Sequence, residues 1–190
     1  MYKILKSVLP IVLIIAFLVF AGVLMNRSAR LLEKAAFPLD YKEIVEEKSK
    51  EYDVPVSVIF AVIRTESTFD PNAESYAGAR GLMQITEVAF DWINKLRKIE
   101  GASFDSMYDP ETNIDYGTWF LAHLYEEFGD WETVYVAYNA GHNAARKWLS
   151  DPQNSADGIS FDTIPNKTAA HYCEKVSTFR KGYIEAYGFE

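Results

Sequence analysis

The chain has 190 residues, of which 49% are hydrophobic and 24% charged, a composition typical of one globular domain with a short appendage. Residues 1–30 carry four basic and no acidic side chains, whereas the remaining 160 residues carry 15 basic and 27 acidic ones. This acidic body excludes binding to a nucleic-acid backbone, which needs clustered lysine and arginine. The single cysteine, Cys173, excludes an internal disulfide framework, and the three histidines lack metal-ligand spacing, so we expect no metal and no cofactor.

The first predicted element is an apolar segment, residues 8–25, without any charged or hydrogen-bonding side chain. As a helix its 18 residues span about 27 Å, close to the roughly 30 Å of a bilayer core. The alternative is a cleaved secretory signal, with Lys3 and Lys6 as its basic region and residues 19–21 as its cleavage site. We favour an uncleaved transmembrane helix because the apolar run continues four residues past Ala21. Residues 1–27 are therefore predicted to form a membrane anchor and residues 28–39 a linker.

The body, residues 40–190, is predicted to be all helical, because hydrophobic residues recur at helix spacing and no run alternates with period two. Gly129 is a predicted helix stop, and Asp130 is the predicted N-cap of the helix that follows. Gly141 is expected to break that helix before it resumes. Helices are expected at residues 41–52, 55–66, 86–98, 111–128, 130–141, then up to 149, and at 168–187.

One ionisable side chain continues an apolar helix face. Glu66 follows Ile59 and Ile63 at intervals of seven and three residues, which places all three on one side of a helix. Loss of water around such a carboxylate raises its pKa and favours the protonated form that a general acid needs. The alternative is a glutamate that caps or pairs at a helix end, and on periodicity alone that structural role is the more common one.

Four sequence blocks add specificity to the interpretation of Glu66. They are Glu-Ser at 66–67, Ser-Tyr-Ala-Gly-Ala-Arg-Gly-Leu-Met-Gln-Ile at 75–85, Asn-Ile-Asp-Tyr-Gly at 113–117 and Ala-Tyr-Asn-Ala-Gly at 137–141. Together and in this order, they resemble the soluble-lytic-transglycosylase-type domain of the lysozyme-like superfamily. The resemblance covers roughly residues 40–187 and implies an all-α, lysozyme-like helical domain with a catalytic cleft.

The resemblance also implies a reaction. Members of the family cleave the β-1,4 bond between N-acetylmuramic acid and N-acetylglucosamine in peptidoglycan with one catalytic glutamate, which maps onto Glu66. This residue protonates the leaving glycosidic oxygen and then takes a proton from the 6-hydroxyl group of the muramic acid, giving a 1,6-anhydro ring without consuming water. Most glycosidases instead use two carboxylates. No second acid stands at a matching motif position in this sequence.

Other motif residues are candidates for contact with the sugar. The amide of Gln84 can donate and accept hydrogen bonds, and the hydroxyl of Tyr138 is suited to orient Glu66 or a sugar. The side chain of Met83 is interpreted equally well as cleft wall or as core. For Asn139, holding the loop near Gly141 is favoured over contact with substrate. The predicted substrate-binding residues are Ser75, Met83, Gln84, Tyr138, Asn139 and Tyr172.

One block departs from the family. Members commonly carry Pro-x-x-Glu-Thr-x-x-Tyr-Val before the last helix, and Pro165 and Tyr172 match that pattern. Thr168, however, stands where the family has a glutamate that lines the cleft. We expect this change to affect substrate positioning and rate rather than the type of reaction.

These features predict a single-pass protein of the cell membrane whose catalytic domain lies on the cell-wall side and whose partner is the peptidoglycan glycan strand. Nothing in the sequence identifies a protein partner. Three alternatives stay open: a goose-type lysozyme-like hydrolase of the same bond, a non-catalytic peptidoglycan-binding module, and a membrane scaffold subunit of an envelope machine. The chemical nature of the product, an anhydro end or a reducing end, separates the first alternative from the favoured function.

Overall fold

The computed structural model describes residues 17–25, 27 and 34–189. The chain divides into two units, Met1–Pro38 and Leu39–Glu190. In the first unit, residues 17–25 are helical and mostly exposed, and residues 8–16 of the predicted membrane segment lie outside the described residues. Within the described part of the chain, no helix is both long and apolar enough to cross a bilayer.

The second unit consists of seven α-helices and one short 3-10 helix, and its described residues form no strand beyond isolated bridges, which confirms the all-helical prediction. The 3-10 helix, Phe104–Tyr108, lies in a segment predicted to be loop, where buried Met107 anchors it to the core. The α-helices are α1 (Lys42–Tyr52), α2 (Val56–Glu66), α3 (Glu87–Arg97), α4 (Pro110–Phe128), α5 (Trp131–Ala140), α6 (His142–Leu149) and α7 (Lys167–Tyr187).

Polar side chains fix where several of these helices begin. Asp130 accepts a hydrogen bond from the backbone N–H of Thr133 at 2.8 Å and so caps α5, as predicted. Gly129 ends α4 in the left-handed conformation at φ 69°, which an L side chain adopts only with strain. A side-chain N-cap like that of Asp130 contributes about 1 kcal/mol to stability. The same capping contact is made at the start of α3, α4 and α7 by Thr86, Asp109 and Asn166.

Helix α2 is the centre of the core. Its residues 57–63 are fully buried, and residues 58–63 are all apolar, as expected for an element enclosed by others. Helix α7 packs along α2 and also contacts α5, and the rings of Phe60 and Tyr183 stack at 5.2 Å between centroids. The central position of α2 fixes the place of Glu66, its last residue.

A polar network joins α1, α3 and α4 on another part of the domain. Asp115 accepts hydrogen bonds from the Tyr52 hydroxyl and from the Arg97 guanidinium, both at 2.6 Å. The ammonium group of Lys48 lies 3.5 Å from the same carboxylate. Two cations and a hydroxyl thus surround Asp115, and they connect three helices through side-chain contacts.

Candidate active site

Glu66 stands at the carboxyl end of α2, where the chain leaves the core. The helix closes with a hydrogen bond from the Ser67 N–H to the Ile63 carbonyl at 3.0 Å. The next two residues, Thr68 and Phe69, adopt positive φ values of 52° and 68°, so the chain turns away sharply. This abrupt turn leaves the Glu66 side chain partly buried at the edge of the core.

Burial is the main influence on the Glu66 carboxyl group, and it raises the pKa of that group to about 7. The hydroxyl of Tyr172 on α7 donates a hydrogen bond to Glu66 Oε1 at 2.7 Å, and this contact opposes the rise. The positive charge of Lys175 opposes it as well. The side chain is therefore held in place by a neutral donor and exists in both protonation states near neutral pH.

Tyr138 on α5 has a pKa well above the usual value of a tyrosine. Burial is the main cause, and the charge of the nearby Glu66 contributes. Its hydroxyl donates to the backbone carbonyl of Met83 at 2.8 Å rather than to Glu66. The role of orienting Glu66, which the sequence suggested for Tyr138, is therefore filled by Tyr172. Tyr138 instead fixes the position of the Gly-Leu-Met-Gln loop beside the glutamate.

The loop at 81–84 is held from its other side by Asn113, which is fully buried. Its amide oxygen accepts from the Met83 N–H at 2.7 Å, and its amide nitrogen donates to the carbonyls of Arg80 and Met107 at 2.9 and 2.8 Å. A Cβ at Gly81 would lie 2.0 Å from the Met107 carbonyl oxygen, so only glycine fits there. The blocks at 75–85 and 113–117 thus form one structural unit, a role that sequence reasoning did not foresee for Asn113.

Met83 is placed in the core. Its side chain is fully buried and packs where Gly117 has no side chain, since a Cβ at Gly117 would lie 2.8 Å from the Met83 Cβ. Of the two interpretations that the sequence left open, the structure supports core over cleft wall. Met83 reaches the site only through its backbone carbonyl, which accepts the Tyr138 hydrogen bond.

Gln84 and Ser75 organise the loop that follows Glu66. Gln84 has a φ of 50°, and its amide nitrogen donates to the carbonyls of Ala73 and Gly81 at 3.0 and 2.9 Å. Its amide oxygen has no hydrogen-bond partner among the described residues. Ser75 is exposed, and its hydroxyl accepts from the Ala79 N–H at 3.0 Å within a tight turn.

A groove of about 700 Å³ runs beside Tyr138, a volume within the range of ligand pockets. Of the predicted substrate-binding residues, Tyr138 and Asn139 line this groove, and the other four, Ser75, Met83, Gln84 and Tyr172, do not. The groove also contains side chains that no motif indicated. Its lining residues are Thr86, Val88, Ala89, Trp92, Phe120, Tyr138, Asn139, Ala140, Gly141, His142, Asn143 and Ala144.

Trp92 and His142 are the most prominent groove residues missed by sequence reasoning. Trp92 lies one turn after Val88 on α3, and this spacing on an otherwise exposed helix face is the signal that could have pointed to it. His142 opens α6 immediately after the Ala-Tyr-Asn-Ala-Gly block. Among the described residues, no group of histidine, cysteine, aspartate and glutamate side chains is arranged to hold a metal ion.

Thr168 is exposed in the first turn of α7, one helical turn before Tyr172. The departure from the family pattern therefore lies on the same helix as the residue that binds Glu66. No carboxylate is present in this first turn of α7.

Known proteins resemble this chain over most of its length. The family profile described as Transglycosylase SLT domain matches residues 43–161, more than half of the chain. The soluble lytic murein transglycosylase of Escherichia coli is 33% identical over 151 residues, which cover 77% of this chain and 23% of that protein. The membrane-bound lytic murein transglycosylase C of Haemophilus ducreyi is 33% identical over 166 residues, covering 76% of this chain and 45% of that protein.

Solved structures give the same result. The 70 kDa soluble lytic transglycosylase of Escherichia coli superposes with a TM-score of 0.71 at 32% identity, covering 78% of this chain and 25% of that one. An inactive mutant of the lytic transglycosylase Slt from Pseudomonas aeruginosa gives a TM-score of 0.70 at 29% identity, covering 78% and 24%. The chain thus spans between about a quarter and a half of the length of these relatives. The resemblance seen in the four sequence blocks is confirmed, and the chain belongs to the transglycosylase SLT domain family.

Proposed function

We propose that this protein is a peptidoglycan lytic transglycosylase with Glu66 as its only acid and base. The observation that carries this proposal is the state of Glu66: a partly buried carboxyl group with a pKa of about 7, held by the Tyr172 hydroxyl at 2.7 Å. A group whose pKa lies near the working pH can both give and take a proton at useful rates. The names of the relatives, murein transglycosylases, supply the substrate class.

The reaction begins with proton donation. Protonated Glu66 transfers its proton to the glycosidic oxygen as the bond from the anomeric carbon of the muramic acid to that oxygen breaks. Glu66, now a carboxylate, takes the proton of the 6-hydroxyl group of the same sugar, and the freed oxygen bonds to the anomeric carbon. The proton that Glu66 gave is thus replaced, the products are a 1,6-anhydro end and a free 4-hydroxyl end, and no water is consumed.

The two oxygens of Glu66 have different roles. Oε1 accepts the Tyr172 hydrogen bond, so the carboxyl group has a fixed orientation. Oε2 has no hydrogen-bond partner among the described residues, and it is the oxygen that exchanges the proton with substrate. Tyr172 thereby acts as a positioning residue, and Gln84, with its free amide oxygen beside the loop, is suited to accept a sugar hydroxyl or amide.

A single-carboxylate reaction is consistent with the surroundings of Glu66. The described groups that influence the pKa of Glu66 are Tyr172 and Lys175, and no carboxylate is among them. When the substrate's own hydroxyl closes the ring, no water molecule has to be activated, so no second carboxylate is needed.

The product decides between this proposal and the alternatives. Purified peptidoglycan is digested with the full-length chain in detergent, and the released muropeptides are examined by mass spectrometry. We expect anhydromuramic ends, which are lighter than reducing ends by one water molecule. Reducing ends would instead identify a lysozyme-like hydrolase, and wall binding without release would identify a binding module.

We also propose that residues 8–25 anchor the protein in the cytoplasmic membrane, with residues 40–190 as the catalytic domain on the cell-wall side. The uncharged sequence of that segment and the membrane-bound relative support this arrangement. A cysteine introduced in the 151–165 loop, with Cys173 replaced, should react with a membrane-impermeant thiol reagent in intact cells. Labelling only after lysis would contradict this topology, and a mature mass lacking residues 1–21 would show a cleaved signal instead of an anchor.

A further inference from the structure

Trp92 is a partly buried tryptophan of α3 whose position is fixed by rings from other helices. Its ring lies 5.7 Å from that of Phe120 on α4 and 5.3 Å from that of His142 on α6, measured between centroids. His123 on α4 contacts it edge-on at 5.2 Å. Because aromatic contacts on several sides restrict the ring, Trp92 forms a rigid part of the groove wall.

This wall is continuous with the catalytic centre. The ring of Phe120 lies 5.2 Å from that of Tyr138 and 5.7 Å from that of Trp92, and all three residues line the groove. Tyr138 is in turn close to Glu66, because the charge of the glutamate contributes to the raised pKa of Tyr138. Glu66 itself does not line the groove, but the groove wall leads from its neighbour Tyr138 to Trp92.

The chemistry of the groove fits an uncharged, amphipathic ligand. None of its lining residues is aspartate, glutamate, lysine or arginine, although the whole chain carries a net charge of −8. Val88, which is 80% exposed, adds apolar surface beside Trp92, and Thr86 and Asn143 add polar groups. An N-acetylated sugar has the matching character, since its C–H face and acetyl methyl are apolar and its hydroxyl and amide groups form hydrogen bonds.

We propose that Trp92 is a specificity-determining residue that binds an N-acetylated sugar of the glycan strand, away from the bond that is cleaved. This inference rests on the proposed function, because it assigns a second contact to the same substrate. A long strand contacts both the Glu66 region and Trp92, whereas a short fragment contacts only the former. The protein therefore cleaves long strands more efficiently than short ones, and Trp92 produces that preference.

The binding test uses chitohexaose, a soluble β-1,4-linked oligomer of N-acetylglucosamine, and the tryptophan fluorescence of the full-length chain. Trp92→Ala should weaken chitohexaose binding about tenfold, in line with the loss of one buried aromatic contact. Trp131→Ala is the matched control: Trp131 is also partly buried, but it stacks on Tyr125 at 4.3 Å and does not line the groove. Equal affinity of wild type and Trp92→Ala would overturn the inference.

A second pair of variants tests the groove without removing a packed ring. Val88→Asp introduces a charge at an exposed position of the wall, so the fold is preserved while apolar contact with a sugar is lost. Its control is Leu96→Asp, at another exposed apolar position two turns along the same helix but outside the groove. We expect weaker chitohexaose binding only for Val88→Asp, by about three- to tenfold. An unchanged affinity for this folded variant would count against the inference even if Trp92→Ala fails to fold.

Cleavage provides the final measurement. Trp92→Ala should lower kcat/KM on long glycan strands about tenfold while changing kcat/KM on a tetrasaccharide less than twofold, because the short substrate gains little from Trp92. Equal losses on both substrates would overturn the inference and leave the proposed function intact. Chitohexaose binding through Trp92 without any cleavage by wild type would have the opposite meaning: the reaction assigned to Glu66 would be wrong, and the sugar contact of Trp92 would stand.

Discussion

Glu66 and Asp115 are two carboxylates of the same helical domain whose neighbouring groups differ in charge. Asp115 has the Arg97 guanidinium and the Tyr52 hydroxyl at 2.6 Å and the Lys48 ammonium at 3.5 Å. Glu66 accepts from one neutral donor, Tyr172, and burial outweighs both this contact and the charge of Lys175, raising the pKa of Glu66 to about 7. Asp115 thus lies against cations from two helices, whereas burial disfavours the charged form of Glu66.

This difference separates a structural carboxylate from the one proposed to be catalytic. The close cations let Asp115 connect helices through ion pairs and hydrogen bonds. A desolvated carboxylate with a neutral partner is less stable as an ion and is ready to hold a proton. The following predictions change one carboxylate or its surroundings at a time.

The largest expected effect is on cleavage. Glu66→Gln keeps the shape of the side chain and can still accept the Tyr172 hydrogen bond, but it cannot exchange a proton. General acid–base catalysis typically contributes about 10² to 10⁴ in rate, and with no second carboxylate we expect a loss of at least about 10⁴-fold. Release of anhydromuropeptides measures it, with Glu185→Gln, an exposed glutamate of α7, as the control.

Binding of Glu66→Gln to insoluble cell walls should survive, because the groove is unchanged. A correctly folded Glu66→Gln protein that releases anhydromuropeptides near the wild-type rate would show that another group is the catalyst.

The same substitution should increase stability at alkaline pH. The pKa of Glu66 rises from 4.5 in the unfolded chain to about 7 in the folded one, so the wild type loses stability as pH increases through that interval. Glu66→Gln lacks this loss and should be more stable than wild type by about 3 kcal/mol at pH 8, with the difference disappearing below about pH 4.5. Urea denaturation across this pH range is the measurement. A gap that is constant with pH would mean that Glu66 is not desolvated.

Asp115→Asn should lower stability and leave cleavage nearly unchanged, the opposite of what is expected for Glu66→Gln. It removes the negative charge that faces Arg97 and Lys48, both partly buried, and we expect the free energy of unfolding to fall by about 2 kcal/mol. Cleavage by the folded fraction should remain within about threefold of wild type, since the network does not contact Glu66. Glu46→Gln in the exposed Lys42–Glu46 pair is the control and should cost less than about 0.5 kcal/mol. Loss of cleavage without loss of stability would reverse the roles of the two carboxylates.

Thr168→Glu is expected to have the smallest effect and tests the departure from the family. A carboxylate in the first turn of α7 interacts favourably with the helix dipole and should add about 0.3 to 1 kcal/mol of stability. Because the position lies one turn from Tyr172, the new charge should also disfavour ionisation of Glu66 and move the pH profile of cleavage upward. An unchanged rate and profile, with Thr168→Gln as the uncharged control, would show that this position does not influence the cleft.

Local patterns in the sequence predicted the helices and their ends well. Asp130 and Gly129 act through hydrogen bonds within one turn, and the stripe that ends at Glu66 needs only helical periodicity. Contacts between residues far apart in the sequence could not be predicted in this way. The bond from the Met83 N–H to Asn113 joins residues 30 apart, and no periodicity indicates it.

The remaining parts of the site escaped prediction for the same reason. Trp92 belongs to no motif, and its role depends on rings from α4 and α6 that only the folded chain brings together. The side chain of Met83 could not be assigned to core or cleft until the space left by Gly117 was seen. Residue types and spacing thus located the glutamate, and tertiary packing determined what surrounds it.

The hydrogen bond between Tyr172 and Glu66 connects residues 106 positions apart, and it has a consequence for the timing of activity. During synthesis, α2 leaves the ribosome long before α7. Until α7 docks, Glu66 lacks both its burial and its tyrosine partner, so its carboxyl group stays near its ordinary pKa and is ionised at neutral pH. A nascent chain therefore lacks the protonated carboxyl group on which the proposed reaction depends until the last helix has closed the domain.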